Sequence, residues 1–320
     1  MESTSLQVRI ARKAQEALDI VTLELEPVAD EPLPAFSAGS HIDLEIRPGL
    51  VRQYSLCNDP TEQHRYVIGV LRDPVSRGGS IAVHDELKEG QVIHISPPRN
   101  HFPLAKAPRS LLLAGGIGVT PIPCMAERLA QIGADFEMHY SARSQERMAF
   151  LQRIRQSAYA DRVQVHFDDG AAEQKLDLGV ALAAEPATTH LYVCGPGGFI
   201  DFVTRTAREQ GWDEERIHFE YFAAKQVDTS ADDSFEVQVA SSGKVYSVGK
   251  DDSIVSVLAA DGVEITTSCE QGICGACITR VLEGQPDHRD QVLTDKERSE
   301  ENWITPCCSR SLTPRLVLDI

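Results

Sequence analysis

No run of about 18 consecutive apolar residues occurs in this 320-residue chain, so no membrane-spanning helix is expected. Basic residues are in deficit: 31 Lys and Arg stand against 48 Asp and Glu, a formal charge of −17. A nucleic-acid binder needs a basic face, so that class of function is set aside. The acidic excess suits solubility, or steering toward a basic protein partner. The opening 26 residues lack the apolar core of a secretory signal and carry acids early, so a cytoplasmic location is expected. There is no internal repeat and no long low-complexity tract. What remains is an ordinary globular composition, 42% hydrophobic and 25% charged. Its length suits roughly two or three domains.

Cysteine is thin over most of the chain, yet five of the eight lie in its last sixth. In a reducing compartment such a cluster points to metal or redox chemistry and not to structural disulfides. Cys269, Cys274 and Cys277 read C-x4-C-x2-C, and 29 residues separate them from the pair Cys307 and Cys308. That is the plant-type [2Fe–2S] pattern, a three-cysteine loop followed by a distant fourth ligand. Four thiolates must converge on two sulfide-bridged irons, and one tight loop can supply three. Gly272, Gly275 and Ala276 leave room for its backbone to wrap the inorganic sulfides. Zinc sites favour two short cysteine pairs, which this spacing does not offer. Spacing leaves Cys307 and Cys308 in competition for the fourth place.

The rest of the chain changes texture twice. Up to residue 103, short apolar runs (Leu6 to Ile10, Ile20 to Leu25, His41 to Ile46, Tyr66 to Leu71, Val92 to Ser96) alternate with turn signals, as in an antiparallel barrel. One helix is expected near Ser80 to Leu87. Beyond Leu104, buried-strand runs alternate with helical segments, which predicts a parallel α/β sheet. Its strands are expected at Ser110 to Ala114, Phe136 to Ser141, Val163 to Phe167 and His190 to Cys194. Its helices are expected at Met125 to Ile132, Met148 to Gln156 and Phe199 to Gln210. Gln226 to Ser234 is small, polar and acidic, and reads as an exposed linker. A hairpin at Phe235 to Val248 follows, and then a helix at Ser253 to Asp261 capped by Asp252 or Ser253.

Two glycine turns each follow a strand and open a helix. Gly115-Gly116-Ile117-Gly118-Val119-Thr120-Pro121 lets backbone approach a pyrophosphate at a helix N-terminus. Thr120 can cap or donate a hydroxyl, and Pro121 suits a first helical turn. Because Pro121 ends the motif, it is not G-x-G-x-x-G. Cys194-Gly195-Pro196-Gly197-Gly198 occupies the same kind of position. In the barrel, Arg52-Gln53-Tyr54-Ser55-Leu56 alternates so that Arg52, Tyr54 and Leu56 share one side. The arginine can pair a phosphate, the tyrosine can lie along a ring, and Ser55 can bond a flavin's N5 edge. Arg77-Gly78-Gly79-Ser80 offers amides and a hydroxyl at a helix start. With no aromatic beside that loop to stack an adenine, FMN is favoured over FAD.

Taken together, these motifs resemble the phthalate dioxygenase reductase and vanillate O-demethylase reductase family. That family is a branch of the ferredoxin–NADP reductase superfamily with a C-terminal plant-type ferredoxin. The family's Cys-x-Ser-Arg ending matches Cys307, Ser309 and Arg310, so the resemblance makes Cys307 the fourth ligand and Cys308 a packed bystander. It makes Arg52, Tyr54, Ser55 and Leu56, with Arg77, Gly78, Gly79 and Ser80, the flavin site. It assigns Gly115, Gly116, Gly118, Thr120, Pro121, Arg143, Cys194, Gly195 and Pro196 to the nucleotide. It implies that Phe222, in His218-Phe219-Glu220-Tyr221-Phe222, covers the flavin until nicotinamide arrives. Ser55, Cys194 and Phe222 are then the residues at the reacting centre.

The implied organisation is a multidomain chain. An FMN-binding antiparallel β-barrel spans residues 1–103, and an NAD-binding α/β parallel-sheet domain spans 104–226. A linker at 227–234 leads to an α+β, β-grasp [2Fe–2S] ferredoxin domain at 235–320. The implied activity is an NADH-dependent iron–sulfur flavoprotein oxidoreductase: the monomeric reductase that feeds single electrons to a Rieske non-haem iron oxygenase. Family habit favours NADH, although Arg143 and Arg147 in the stretch after the second α/β strand would suit a 2′-phosphate. Two other readings use the same residues. One is a reductase for a different acceptor, FAD-containing or acting on a quinone or ferric iron. The other is a non-enzymatic redox-sensing module.

Overall fold

The computed structural model describes residues 5–74, 78–223 and 229–320. They divide into two compact units, Met1–Glu220 and Tyr221–Ile320.

The first unit begins with an antiparallel sheet. Its strands are β1 (Leu6–Ala17), β2 (Ile20–Pro27), β3 (Ser40–Arg47), β4 (Leu50–Ser55), β5 (Tyr66–Leu71), β6 (Val92–Ile95) and β7 (Arg99–Asn100). The order is β4-β3-β6-β1-β2-β5, with β7 on β3. An antiparallel bridge between Leu56 and Ile68 joins the chain just past β4 to β5 and closes the ring. The sequence of β3 shows why: Ile42, Leu44 and Ile46 point inward and Asp43 and Glu45 outward. Ile10, Leu23, Leu25, Tyr66 and Ile68 fill the interior with them. Helix α1 (Gly79–Asp85) starts after Gly78, whose φ of 83° lies where glycine is favoured.

The second sheet of this unit is wholly parallel. Its strands are β8 (Arg109–Gly115), β9 (Asp135–Ala142), β10 (Val163–Phe167), β11 (Thr189–Cys194) and β12 (Ile217–Glu220). The order β10-β9-β8-β11-β12 reverses direction at β8, which creates a switch-point crevice at the carboxyl ends of β8 and β11. Helices α2 (Ile122–Gln131), α3 (Leu151–Gln156), α4 (Leu178–Ala183) and α5 (Gly197–Glu209) make the crossovers. The two sheets are tied together. Leu18 N–H donates to Glu146 O at 2.7 Å, Phe150 N–H to Glu16 Oε1 at 2.9 Å, and Arg153 Nη1 to Cys57 O at 2.7 Å.

The second unit contains β13 (Phe235–Val239), β14 (Val245–Val248), α6 (Ile254–Ala259), β15 (Thr279–Glu283), β16 (Pro286–Asp287), α7 (Asp295–Ser299), β17 (Trp303–Ile304), β18 (Arg310–Ser311) and β19 (Arg315–Leu318). Its main sheet runs β14-β13-β19-β15-β17, with β13 and β19 parallel. Helix α6 is capped by Ser253, not Asp252, through a reciprocal bond with Ser256.

Three sequence expectations are revised. The helix expected from Met148 begins only at Leu151, because Phe150 takes a φ of 60°. The α2 helix starts three residues early, since Pro121 opens it directly after a 3-10 turn at Gly116–Val119. The segment read as an exposed linker has one exception: Thr229, Ser230, Ala231, Asp233 and Ser234 are exposed, but the Asp232 side chain is only 7% exposed.

Candidate flavin, nucleotide and iron–sulfur sites

Antiparallel pairing of β3 with β4 places Arg52, Tyr54 and Ser55 on one rim of the barrel. Arg52 reaches across to α1. A Cβ built on Gly79 would lie 2.6 Å from Arg52 Cγ and Nε, so only glycine there leaves the arginine its path. The left-handed Gly78, the Gly79 amide and the guanidinium thus share one small region, the donor set a terminal phosphate needs. Ser80 Oγ accepts the Asp73 N–H at 3.1 Å, and its hydroxyl still has a proton to donate. Tyr54 is partly buried against the barrel, and burial pushes its phenol well above its ordinary value. Leu56 corrects an expectation. It is wholly buried in the barrel core, so its side chain is withdrawn from any ligand. Arg77 lies outside the described residues.

Ser55 is buried, and its hydroxyl donates to the carboxyl of Glu220. Glu220 ends β12, directly beside Cys194 at the end of β11. Burial pushes the Glu220 carboxyl up to about 8, and the bond from Ser55 opposes that shift. Its Oε2 atom is shielded from solvent and has no hydrogen-bond partner. Cys194 is fully buried, and burial, then the neighbouring Glu220, hold its thiol far above the ordinary value. It is therefore a neutral thiol and no nucleophile. Glu220 is the residue that sequence reasoning left as a mere neighbour. An acid inside the aromatic run His218 to Phe222 was the available signal. Phe222 falls in the second unit and is partly exposed.

The two glycine turns touch. A Cβ on Gly118 would lie 2.3 Å from the Cys194 carbonyl carbon and the Gly195 nitrogen, and one on Gly195 would lie 2.8 Å from the Phe199 ring. A Cβ on Gly115 would meet the same ring at 2.8 Å, and Gly116 has a φ of 52°. Both turns thus close on the switch-point crevice. Thr120 turns inward, its hydroxyl donating to Ile117 O at 3.1 Å, so it braces the turn from within. Pro121 opens α2, and Pro196 is the N-cap of α5. Arg143 is exposed just past the carboxyl end of β9, while Arg147 pairs with Asp19 at 3.0 Å. A cavity of about 570 Å³ beside them is lined by Ser144, Gln145, Glu146, Leu151 and Asp169.

In the second unit the cysteine loop carries Gly272 and Gly275 at φ of 70° and 72°. Among the described residues no three His, Cys, Asp or Glu side chains converge as a single metal ion would require. The thiols meet in two pairs, Cys269 with Cys274 and Cys277 with Cys307. Two pairs are what two irons demand, so the residues fit a dinuclear cluster. Within each pair one sulfur is favoured as thiolate. The Cys274 thiol holds Cys269 down to about 6, and Cys307 lowers Cys277. Loop amides point at sulfur, Gln271 N–H to Cys269 at 3.3 Å and Ala276 N–H to Cys274 at 3.5 Å. Cys308 touches one of the pairs, through the Cys307 thiol, and is held by Thr305 Oγ1 at 3.3 Å and packed over Gly272.

Barrel, switch-point sheet and thiol-bearing β-grasp unit define an iron–sulfur flavoprotein oxidoreductase. The model of the 2Fe-2S iron-sulfur cluster binding domain matches residues 237–312. That of the dimethylamine monooxygenase subunit DmmA-like N-terminal domain matches residues 93–217. Vanillate O-demethylase oxidoreductase of Pseudomonas putida is 55% identical over 97% of this chain and 98% of its own. The solved structure of phthalate dioxygenase reductase, described as a modular structure for electron transfer from pyridine nucleotides to [2Fe-2S], has a TM-score of 0.78 at 37% identity. It covers 100% of this chain and 99% of that one. An intact type IV self-sufficient cytochrome P450 monooxygenase has a TM-score of 0.84 at 36% identity over 99% of this chain, which spans only 41% of that longer protein. The chain belongs to the vanillate O-demethylase oxidoreductase and phthalate dioxygenase reductase family. The matched family model gives residues 237–312 a [2Fe–2S] cluster. No helix among the described residues is long and apolar enough to cross a membrane.

Proposed function

We propose that this chain oxidises NADH and passes the electrons singly to a Rieske-type oxygenase, with an aryl-ether demethylase as the favoured partner. The observation that carries the reading is the meeting of Ser55, Glu220 and Cys194 at the mouth of the switch-point crevice. Bound flavin and cluster supply the conversion of a two-electron hydride into single electrons. The protein's part is placement. Arg52, Gly78, Gly79 and Ser80 anchor the phosphate end of the FMN, which fixes how far its ring reaches along β4. Ser55 offers a hydroxyl to the ring's reacting edge, and Glu220 orients that hydroxyl. The glycine turns bring backbone amides to the pyrophosphate, and Cys194 presents a compact neutral wall to the nicotinamide. No general base or nucleophile is required. Glu146 and Asp169 beside Arg143 disfavour a 2′-phosphate, which supports NADH over NADPH. Cys269, Cys274, Cys277 and Cys307 hold the cluster.

The test is turnover. Purified protein should reduce ferricyanide and cytochrome c with NADH. It should drive demethylation of a methoxybenzoate only when the oxygenase is present. Fast direct reduction of quinones without an oxygenase would favour the small-acceptor reading instead. Absent NADH oxidation with full cofactor loading would leave only the sensor reading.

A further inference from the structure

Within the second unit, the stretch ahead of Phe235 carries an unexpected buried carboxylate. Asp232 Oδ1 lies 2.7 Å from Arg289 Nη2, and its Oδ2 lies 2.7 Å from Arg289 Nη1, a bidentate fork. Arg310 Nε stands 3.5 Å from the same Oδ2. The three side chains are 7%, 14% and 9% exposed. A desolvated fork of this kind has directional strength that exposed ion pairs lack. Each arginine also has acceptors besides Asp232, a carboxylate for Arg289 and neutral carbonyls for Arg310. Arg289 also pairs with Asp287 at 2.7 Å, and Arg310 donates to the carbonyls of Asp233, Gly249 and Asp252 at 2.9 to 3.0 Å. What Asp232 adds is a fixed point on the chain that enters the unit.

The arginines belong to the segments that frame the cluster ligands. Arg289 N–H donates to Ser309 Oγ at 3.2 Å, and Ser309 Oγ meets Thr305 Oγ1 at 2.8 Å, on either side of Cys307. Two residues on, Gln291 N–H donates to Gly272 O at 2.8 Å, inside the cysteine loop. The entering chain is thus keyed to the frame of the cluster through a continuous set of bonds.

We infer that Asp232, clamped by Arg289 and Arg310, is a positioning residue that ends the tether at the cluster's own frame and so governs transfer from flavin to cluster. Ending the tether at Asp232, three residues before Phe235, removes about 10 Å of reach. A shorter tether raises the effective concentration of one unit at the other. The inference rests on the proposed path from flavin to cluster.

The experiment compares wild type with Asp232→Asn, which keeps shape, and Asp232→Ala. Hydrogen exchange of residues 229–234, reduction of ferricyanide (taken directly from flavin) and reduction of cytochrome c (taken through the cluster) are measured, with the reduced-cluster paramagnetic signal as control. Expected are faster exchange at 229–234, unchanged ferricyanide turnover, and a ratio of cytochrome c to ferricyanide rates lower by roughly 1.5-fold. An unchanged ratio overturns the inference. So does loss of the cluster signal in both variants, since Asp232 would then support the cluster itself. A wild type that reduces ferricyanide and never cytochrome c would overturn the underlying electron path as well.

Discussion

At the scale of single residues, the choice of Cys307 over its neighbour as the fourth ligand can be tested directly. Cys307 meets both Cys277 and Cys308, and Cys308 is also held by the Thr305 hydroxyl. Cys307→Ser should abolish the reduced-cluster signal and Cys308→Ser should keep it. The reverse outcome in paramagnetic resonance would reassign the fourth ligand. Glu220 gives a pH prediction. Its folded value of about 8 lies above its ordinary 4.5, so the folded state holds a proton that the unfolded chain has released across that window. Stability contributed by this group is present below 4.5 and declines as pH rises toward 8. Glu220→Gln should flatten that decline, read as a smaller fall in the thermal midpoint of the apoprotein between acid and mildly alkaline buffer. Identical pH profiles for the two proteins would refute the buried-carboxyl account. None of this was legible in the sequence, where Glu220 is one acid among 48 Asp and Glu. Burial of a particular carboxyl depends on strand register, and the pairing of Cys194 with Glu220 exists only once β11 and β12 lie side by side.

At the scale of elements, the turns were readable because glycine and proline act locally. The strand–turn–helix texture at Gly115 to Pro121 and at Cys194 to Phe199 follows from residue type alone. What local pattern could not show is that the two turns press on each other. Gly118→Ala should force the Cys194 backbone away, at a cost of about 1–3 kcal/mol, and raise the KM for NADH. A normal KM with a normal thermal midpoint would mean that the turns can part freely. The barrel rim makes a parallel case. Arg52→Ala removes the guanidinium from the Gly79 channel, so flavin should be lost during purification, and retained yellow colour would argue against the phosphate role. Alternation along β4 suggested that Leu56 shares the face of Arg52. It fails because the chain leaves β4 at Ser55 and bridges to Ile68, which carries Leu56 into the core. The cysteine spacing, by contrast, was informative at once, since four sulfurs around two irons leave few sequence solutions.

At the scale of the whole molecule, the division at Glu220 and Tyr221 separates the hydride chemistry from the thiol-bearing unit. A chain ending after Phe222 should still reduce ferricyanide with NADH and lose cytochrome c reduction. Loss of both activities would show that the first unit needs the second to hold flavin. The net charge of −17 adds a salt dependence. If the partner presents a basic face, added salt should slow the bimolecular step with the oxygenase while leaving ferricyanide turnover steady. The module order could be read from motifs, because each cofactor leaves its own local signature. The anchoring of the connecting chain could not, since Asp232, Arg289 and Arg310 are far apart in sequence and ordinary one by one.

The place of β12 has a consequence for biosynthesis. It is the last strand added to the parallel sheet and lies at its edge, and it carries Glu220 on its final residue. A polypeptide still emerging from the ribosome can fold the barrel and four of the five parallel strands before that carboxyl exists. Nascent or prematurely terminated chains therefore lack the group that orients Ser55. On the proposed role of Glu220, a chain stopped just short of it should oxidise NADH more slowly than one that ends just past it, which turnover of the two truncations would measure.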